Sequence, residues 1–132
     1  MQEPSSYYFI ETHHGPLHVH INYKKESGLP TKIFCNIPPI GTEINGITHL
    51  IGILLSKYFE IGGDAQRILK HLQSIKSEHL HRYKGMEIES IPHAISIALR
   101  DHLQSWKKEE KVDIKDQLLK KVEDLHENKG RD

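Results

Sequence analysis

The sequence is poor in cysteine, in net charge and in long apolar runs, and each shortage excludes a class of protein. A single cysteine, Cys35, among 132 residues excludes an internal disulfide framework and is typical of a reducing compartment. The 18 basic and 18 acidic residues balance, so the overall charge favours neither nucleic acid nor an anionic membrane surface. Residues 1–6 are polar and lack the apolar stretch of a secretory signal. We therefore expect a soluble, cytoplasmic protein.

The longest apolar segment of the sequence predicts a central helix. Gly41 allows a sharp turn, Thr42 can cap the helix that follows, and Gly62 with Gly63 ends it. Polar residues interrupt this segment too often for a membrane span. Apolar residues recur within it at steps of three and four, and we expect the face that they form to be buried. This face comprises Ile44, Ile47, Ile51, Leu54, Leu55 and Tyr58.

Three segments before this helix have the sequence character of strands, the first through its aromatic and β-branched residues and the second through its alternation of apolar and polar residues. They are residues 7–10, 17–23 and 31–36, and short turns separate them. Short connections between consecutive strands favour an antiparallel meander. On the third strand, Ile33 and Cys35 share one face, so we expect the thiol to be buried and chemically inert.

The second half of the chain predicts further helices. Residues 64–76 form a second helix, residues 77–89 are polar and predict a loop, and Ser90 can cap a third helix. In the last part of the chain, charges of both signs flank a narrow apolar stripe, which predicts a charged helix. We therefore expect an α+β fold in which a three-stranded antiparallel sheet is packed by three helices over residues 1–106. A charged C-terminal helix and a frayed tail follow over residues 107–132.

Three motifs carry a resemblance to a known family. They are, in chain order, the hairpin GPLHVHIN…GLPTKIFCNI, the helix GTEINGITHLIGILLSKYFEIGG and the segment ESIPHAISIAL. In order and spacing, over residues 12–103, they resemble the TSCPD domain. That domain is best known as a segment near the C-terminus of adenosylcobalamin-dependent (class II) ribonucleotide reductases, and it also occurs as small standalone proteins. The resemblance implies an accessory module with a ribonucleotide reductase as its partner.

The chain departs from the run that gives the family its name. Where the family has Thr-Ser-Cys-Pro-Asp, Ile91 replaces the cysteine and His93 replaces the acid. Ribonucleotide reduction also needs a radical-bearing thiol and a pair of redox thiols, which Cys35 alone cannot supply. We therefore expect no catalytic residue and no cofactor, even where homology would attach a reductase name to the chain.

A helix N-terminus offers free N–H groups to a phosphate, and the start of the central helix is such a place. Glu43 in the first turn opposes an anion there, so a capped helix without a ligand is the simpler interpretation. Under the ligand hypothesis, the binding residues are Gly41, Thr42, Lys32, Arg67, Lys76 and Arg82. The aromatic residues that could stack on a base are Tyr7, Tyr8, Phe34 and Tyr83. Aromatic residues on a small sheet are equally typical of a core or an interface.

Two of the eleven histidines, His18 and His20, lie two residues apart on a predicted strand and so share a face. Imidazoles at this spacing can bind zinc or another borderline metal. A structural zinc site needs four ligands, and the usual cysteine partners are missing. An exposed polar face, or a face that meets a partner, is therefore the simpler interpretation.

Both the narrow stripe of the C-terminal helix and the free edges of a three-stranded sheet favour a homo-oligomer. Three hypotheses for function remain open. The first is a non-catalytic accessory module that binds a nucleotide or another phosphate-bearing ligand. The second is a protein–protein assembly factor without a small-molecule ligand. The third is a small enzyme built on a metal held by the sheet histidines.

Overall fold

The computed structural model describes residues 3–107 and 118–119. The chain begins with a three-stranded antiparallel sheet in the order β1-β2-β3. Strand β1 spans Ser5–Thr12, β2 spans Gly15–Tyr23 and β3 spans Pro30–Asn36. Each strand pairs with its neighbour in sequence, so the predicted meander is confirmed.

The two faces of this sheet differ in chemistry. The inner face is apolar and buried, and it comprises Ile10, Leu17, Val19, Ile21, Ile33 and Cys35. The outer face carries the aromatic and imidazole rings of Tyr7, Phe9, His18, His20 and Phe34. In the strand register, His20 lies between Tyr7 on β1 and Phe34 on β3. The predicted burial of Cys35 beside Ile33 is therefore confirmed.

The central helix, α1, spans Glu43–Glu60. The side chain of Thr42 caps it by accepting a hydrogen bond from the N–H of Asn45 at 3.2 Å. The helix ends at a turn in which Gly62 has a φ of +85°, a value that glycine adopts at little cost. Both ends of α1 therefore lie where the sequence predicts them.

The buried face of α1 matches the predicted one only in part, because Leu55 is buried and Ile44 and Ile51 pack half-buried against the core. Its buried residues are Thr48, Gly52 and Leu55, whereas Ile47 is 46% exposed and Leu54 is 60% exposed. The cause is the way α1 runs along the outer edge of β3. A Cβ at Gly52 would lie 2.9 Å from the carbonyl oxygen of Ile33, so small residues form the contact.

A hydroxyl group joins α1 to the edge of the sheet. The Oγ of Ser56 accepts a hydrogen bond from the N–H of Ile33 at 2.8 Å and lies 3.1 Å from the carbonyl oxygen of the same residue. The outer edge of an unpaired strand presents such groups to any other chain. Helix α1 therefore covers the edge of β3 and satisfies part of its backbone.

Helix α2 spans Ala65–Ser74 and begins at Asp64, whose side chain accepts a hydrogen bond from the N–H of Gln66 at 3.0 Å. The segment that follows was expected to be a loop, and this is wrong in part. It contains a short hairpin in which β4, His81–Tyr83, pairs with β5, Met86–Ile88. Lys84 and Gly85 both have positive φ in its two-residue turn, which is the geometry that a tight hairpin requires.

The third helix, α3, comprises residues 91–107. Ser90 caps it as predicted, since its Oγ accepts a hydrogen bond from the N–H of His93 at 3.0 Å. The most deeply buried helical face belongs to α3, with Ala94, Ile95, Ala98 and Leu99 at 0% exposure. These residues form one core with the inner face of the sheet, so α3, rather than α1, contributes the larger share of the helical core.

A buried histidine, His102, joins α3 by hydrogen bonds to β1 and to the β2–β3 connection. The Nε2–H of His102 donates to the carbonyl oxygen of Gly28 at 2.9 Å, and its Nδ1 lies 2.9 Å from the Oγ of Ser6. The ring of Trp106 occupies the space beside Gly28. The expected helix over residues 107–132 lies almost entirely outside the described residues, of which 118–119 are helical. Among the helices that the structure describes, none combines the length and the apolar character needed to cross a membrane.

Candidate ligand pocket

A groove of about 820 Å³ lies between β3 and the C-terminal half of α1. One wall is formed by the outer edge of β3, and the other by α1 and the turn at Gly62 and Gly63. We call this groove the strand–helix pocket. Its volume lies in the range of known small-molecule sites, roughly 300–1,000 Å³. It exists because α1 crosses the edge of the sheet instead of lying flat on a face.

The lining of the strand–helix pocket combines apolar and cationic side chains. Its apolar members are Leu29, Pro30, Ile33, Phe34, Ile53, Phe59 and Ala65. Lys24, Lys32 and Lys57 also line it, against one acid, Glu60. Glu60 lies 3.4 Å from the ammonium group of Lys57, and both side chains are largely exposed, so this pair contributes little. The pocket therefore has an excess of positive charge.

Phe34 provides the pocket with an aromatic surface. Its ring lies on the outer face of the sheet and is 48% exposed. An exposed ring beside cationic groups can stack on a flat ligand while the cations neutralise its charge. The arrangement is suited to an anionic ligand with an apolar or aromatic part.

One of the six predicted binding residues, Lys32, lines the strand–helix pocket. Gly41 and Thr42 lie at the opposite end of α1, where the hydroxyl of Thr42 caps the helix and donates to the carbonyl oxygen of Pro39 at 2.9 Å. Arg82 lies on the β4–β5 hairpin, 3.6 Å from Glu87. Arg67 is exposed on α2, and Lys76 is exposed just after it.

Sequence reasoning missed Lys24, His49 and Lys57 as pocket residues. Lys24 lies in the β2–β3 connection, and the other two lie on α1, so only the crossing of helix and strand brings them together. The periodicity of α1 gave one signal for these pocket residues, since Lys57 and His49 lie on the side of the helix that carries few core residues. Nothing in the local sequence links this side of the helix to Lys24.

The fold makes the thiol of Cys35 unreactive. The side chain is 1% exposed, and burial raises its pKa from 9.0 to about 12. A thiol with this pKa is protonated at neutral pH and is a poor nucleophile. The pocket is lined by its neighbours Ile33 and Phe34, and Cys35 points to the inner face instead.

His18 and His20 share the outer face of the sheet, as predicted. The Nδ1 of His18 lies 2.6 Å from the phenolic oxygen of Tyr7, and the rings of Tyr7 and His20 are 4.8 Å apart. These contacts use the two imidazoles in a cluster of rings. Among the described residues, no group of three or more histidine, cysteine, aspartate or glutamate side chains has the geometry of a metal site.

The structure defines a small α+β domain in which α3 packs on the inner face of an antiparallel meander, α1 covers one edge of the sheet, and a pocket lies at that edge. The model of the TSCPD domain family matches residues 3–103, and the chain belongs to that family. Searches of curated proteins and of solved structures give no match.

The structure gives a physical account of two of the departures from the family's signature, those at Ile91 and His93. Ile91 is 7% exposed and lies in the core, so this position is filled by a packed apolar side chain. The Nδ1 of His93 accepts a hydrogen bond from the N–H of Glu89 at 3.1 Å. The ring nitrogen therefore satisfies the N–H of the residue just before the cap, Ser90, next to the position that an acidic side chain serves in a capping box.

Proposed function

We propose that the chain is a non-catalytic accessory module of ribonucleotide reductase biology that binds a phosphate-bearing nucleotide in the strand–helix pocket. The observation that carries the proposal is the pocket itself, which is lined by Lys24, Lys32 and Lys57 together with apolar side chains. Membership of the TSCPD family supports the link to a reductase as partner. The buried, protonated Cys35 supports a role without catalysis and a cytoplasmic location.

The chemistry of the pocket favours a nucleotide over a simple anion. Lysine ammonium groups bind phosphate oxygens through charge-assisted hydrogen bonds. Phe34 offers a face on which a base can stack, and Ile53 adds an apolar contact beside it. An inorganic phosphate would use the lysines alone, whereas a nucleotide would use both parts of the lining.

The first experiment measures thermal shifts and titration calorimetry of the full chain with nucleoside mono-, di- and triphosphates, deoxynucleotides and inorganic phosphate. A ligand that binds the folded state raises the melting temperature in a concentration-dependent way. Lys24→Glu should weaken binding by about tenfold or more, because it replaces a charge-assisted contact by a repulsion. Arg67→Glu is the matched control, since Arg67 is exposed on α2 and does not line the pocket.

The result separates the strand–helix pocket from a site on α2. If Arg67→Glu lowers the affinity and Lys24→Glu does not, the ligand binds away from the strand–helix pocket. If no nucleotide in the panel raises the melting temperature, the proposal is wrong. Phe34→Ala should lower the affinity for nucleotides more than the affinity for inorganic phosphate, and an equal loss would show that the ring does not stack.

An assembly role is the second candidate function, and one observation favours it. Several large apolar side chains on α1 and at its two ends are exposed to solvent, among them Ile40 at 89% and Ile61 at 86%. Contiguous exposed apolar surface on a small protein is typical of an interface. This role and ligand binding can coexist, because the pocket and most of these side chains lie on different parts of the helix.

A further inference from the structure

The outward face of α1 is apolar along its middle. Ile47 is 46% exposed, Leu50 is 50% exposed and Leu54 is 60% exposed. These three side chains lie opposite the face that carries Thr48, Gly52 and Leu55 against β3. A helix that is apolar on both faces is usually covered on both. Within the described part of the chain, one face of α1 is covered by β3 and the other is open.

The open face has the spacing of a helix–helix interface. Glu43, Ile47, Leu50, Leu54 and Lys57 follow one another at alternating steps of four and three residues. This is the heptad spacing of residues that meet a partner helix along one line. We call these five positions the α1 seam. Its middle is apolar, and one end carries an acid and the other a base.

The α1 seam is self-complementary about its centre. Glu43 and Lys57 each lie seven residues, or two helical turns, from Leu50. When two copies of α1 lie antiparallel with Leu50 on a two-fold axis, Glu43 of each copy meets Lys57 of the other. A parallel arrangement would instead place like charges together, which costs free energy. The pattern of charge therefore selects an antiparallel pair.

The ends of α1 fit the same symmetry. Ile40 and Ile61 are the most exposed large apolar residues of the described chain, at 89% and 86%. They lie at nearly equal distances in sequence from Leu50, ten residues before it and eleven after it. An antiparallel pair would bring Ile40 of one copy near Ile61 of the other. An isologous contact of this kind uses each patch twice, which is how a single chain forms a closed dimer.

We infer that a second copy of this chain covers the α1 seam, in an antiparallel homodimer whose two-fold axis passes at Leu50. The Lys57–Glu60 contact within one helix does not prevent this, because both side chains are largely exposed and can change partner. The inference does not depend on the nucleotide proposal, since the seam is defined without the pocket. A second copy is the partner that fits the α1 seam, because the seam complements itself in both charge and apolar surface.

The first test is sedimentation velocity of the full chain, without ligand, over a range of concentrations. The wild-type chain should sediment as a dimer. Leu50→Glu should raise the dissociation constant of the dimer by at least about tenfold, because it places two carboxylates together at the axis. Leu80→Glu is the matched control, since Leu80 is 59% exposed, close to the 50% of Leu50, and lies outside α1, and it should leave the dimer unchanged.

The second test exchanges the charges at the ends of the seam. Glu43→Lys alone and Lys57→Glu alone should each weaken the dimer, because each creates like-charge contacts across the axis. The double variant Glu43→Lys/Lys57→Glu should restore the dimer, since it reverses the pair without removing it. Failure of the double variant to recover affinity would overturn the antiparallel register.

Three other outcomes would overturn the inference. A wild-type chain that stays monomeric at every concentration would show that no second copy covers the seam. Lower amide-exchange protection of α1 in a monomeric chain of residues 1–107 than in the monomeric full chain would assign the cover to residues 108–132 of the same chain. A dimer that persists in folded Leu50→Glu protein, as judged by circular dichroism, would place the interface on another surface.

Discussion

Cys35 illustrates how position within the fold decides the chemistry of a residue. It is the single cysteine of the chain and lies on the inner face of β3 with 1% exposure. Water cannot solvate a thiolate there, so burial raises the pKa to about 12. The folded state therefore holds a proton that the unfolded state begins to release near pH 9.

The first prediction at the residue scale concerns alkaline stability. Because the pKa of Cys35 is higher in the folded state, its contribution to stability is present below pH 9 and is lost as the pH rises above it. The contribution of Cys35 to the free energy of unfolding should fall by about 1 kcal/mol between pH 9 and pH 10. Urea denaturation at a series of pH values measures the change.

Cys35→Ala is the control for this prediction, because it removes the titrating group. The variant should lack the part of the decline between pH 9 and pH 10 that belongs to Cys35. Burial and the neighbouring Asp101 also raise the pKa of Tyr8 above its usual value of 10.0, so a further decline above pH 10 should remain in both proteins. Equal slopes in the two proteins between pH 9 and pH 10 would contradict the prediction.

At the scale of elements, the contact between α1 and β3 is the feature that sets the pocket and exposes the seam. The helix approaches the strand through a glycine and a serine, so that backbone lies close to backbone. A Cβ at Gly52 would lie 2.9 Å from the carbonyl oxygen of Ile33 and 3.1 Å from the nitrogen of Cys35. Both obstacles are backbone atoms of a strand, which cannot move aside without disturbing the sheet.

Gly52→Ala should therefore destabilise the protein by roughly 1–3 kcal/mol, because the added methyl group forces α1 away from β3. Gly46→Ala provides the control within the same helix, since a Cβ at Gly46 has nothing within 4 Å. The control should be neutral or more stable, by up to about 1 kcal/mol, because alanine favours helix. Urea denaturation of both variants at one protein concentration tests the pair, and similar losses in both would refute the close approach.

The α1 helix also marks the limit of what the sequence could predict. Its ends follow from Thr42 and Gly62, which act locally, and both predictions are confirmed. Its inner face was predicted correctly for Leu55, Ile44 and Ile51 and wrongly for Ile47 and Leu54, because apolar residues lie almost all round the helix and their period does not select a side. The contact is made by Thr48 and Gly52, which are small and are not counted in an apolar pattern.

The pocket and the β4–β5 hairpin escaped prediction for different reasons. The hairpin has strands of three residues each, too short for an alternation to stand out, although Lys84 and Gly85 are a turn signal. The pocket joins Lys24, Lys32 and Lys57 from three elements, and local sequence contains no information on their meeting. Lys32 was predicted as a binding residue for another reason, its positive charge.

At the scale of the whole molecule, one core joins the sheet, α3 and the hairpin. Its buried apolar residues extend from Ile10 to Leu99 along the chain, and the buried His102 with its two hydrogen bonds closes it. The ring of Trp106 packs beside Gly28. These contacts extend the packed core to Trp106, and the boundary predicted at residue 107 stays a prediction.

A chain of residues 1–107 should therefore melt within about 4 °C of the full chain, because the buried core is retained. A chain of residues 1–101 is the contrast, since it loses His102 and Trp106 and leaves the carbonyl of Gly28 without its donor. It should melt at a much lower temperature or fail to fold. If the longer truncation melts as poorly as the shorter one, residues beyond 107 are part of the domain.

Lys57 belongs both to the lining of the pocket and to the end of the seam. One ammonium group cannot neutralise a phosphate and the partner's Glu43 at full strength at the same time. Taken together, the two proposals therefore make ligand and partner compete for a shared cation. By thermodynamic reciprocity, a ligand that weakens the dimer binds more weakly to the dimer than to the single chain. The occupancy of the pocket would then regulate how much of the protein exists as single chains.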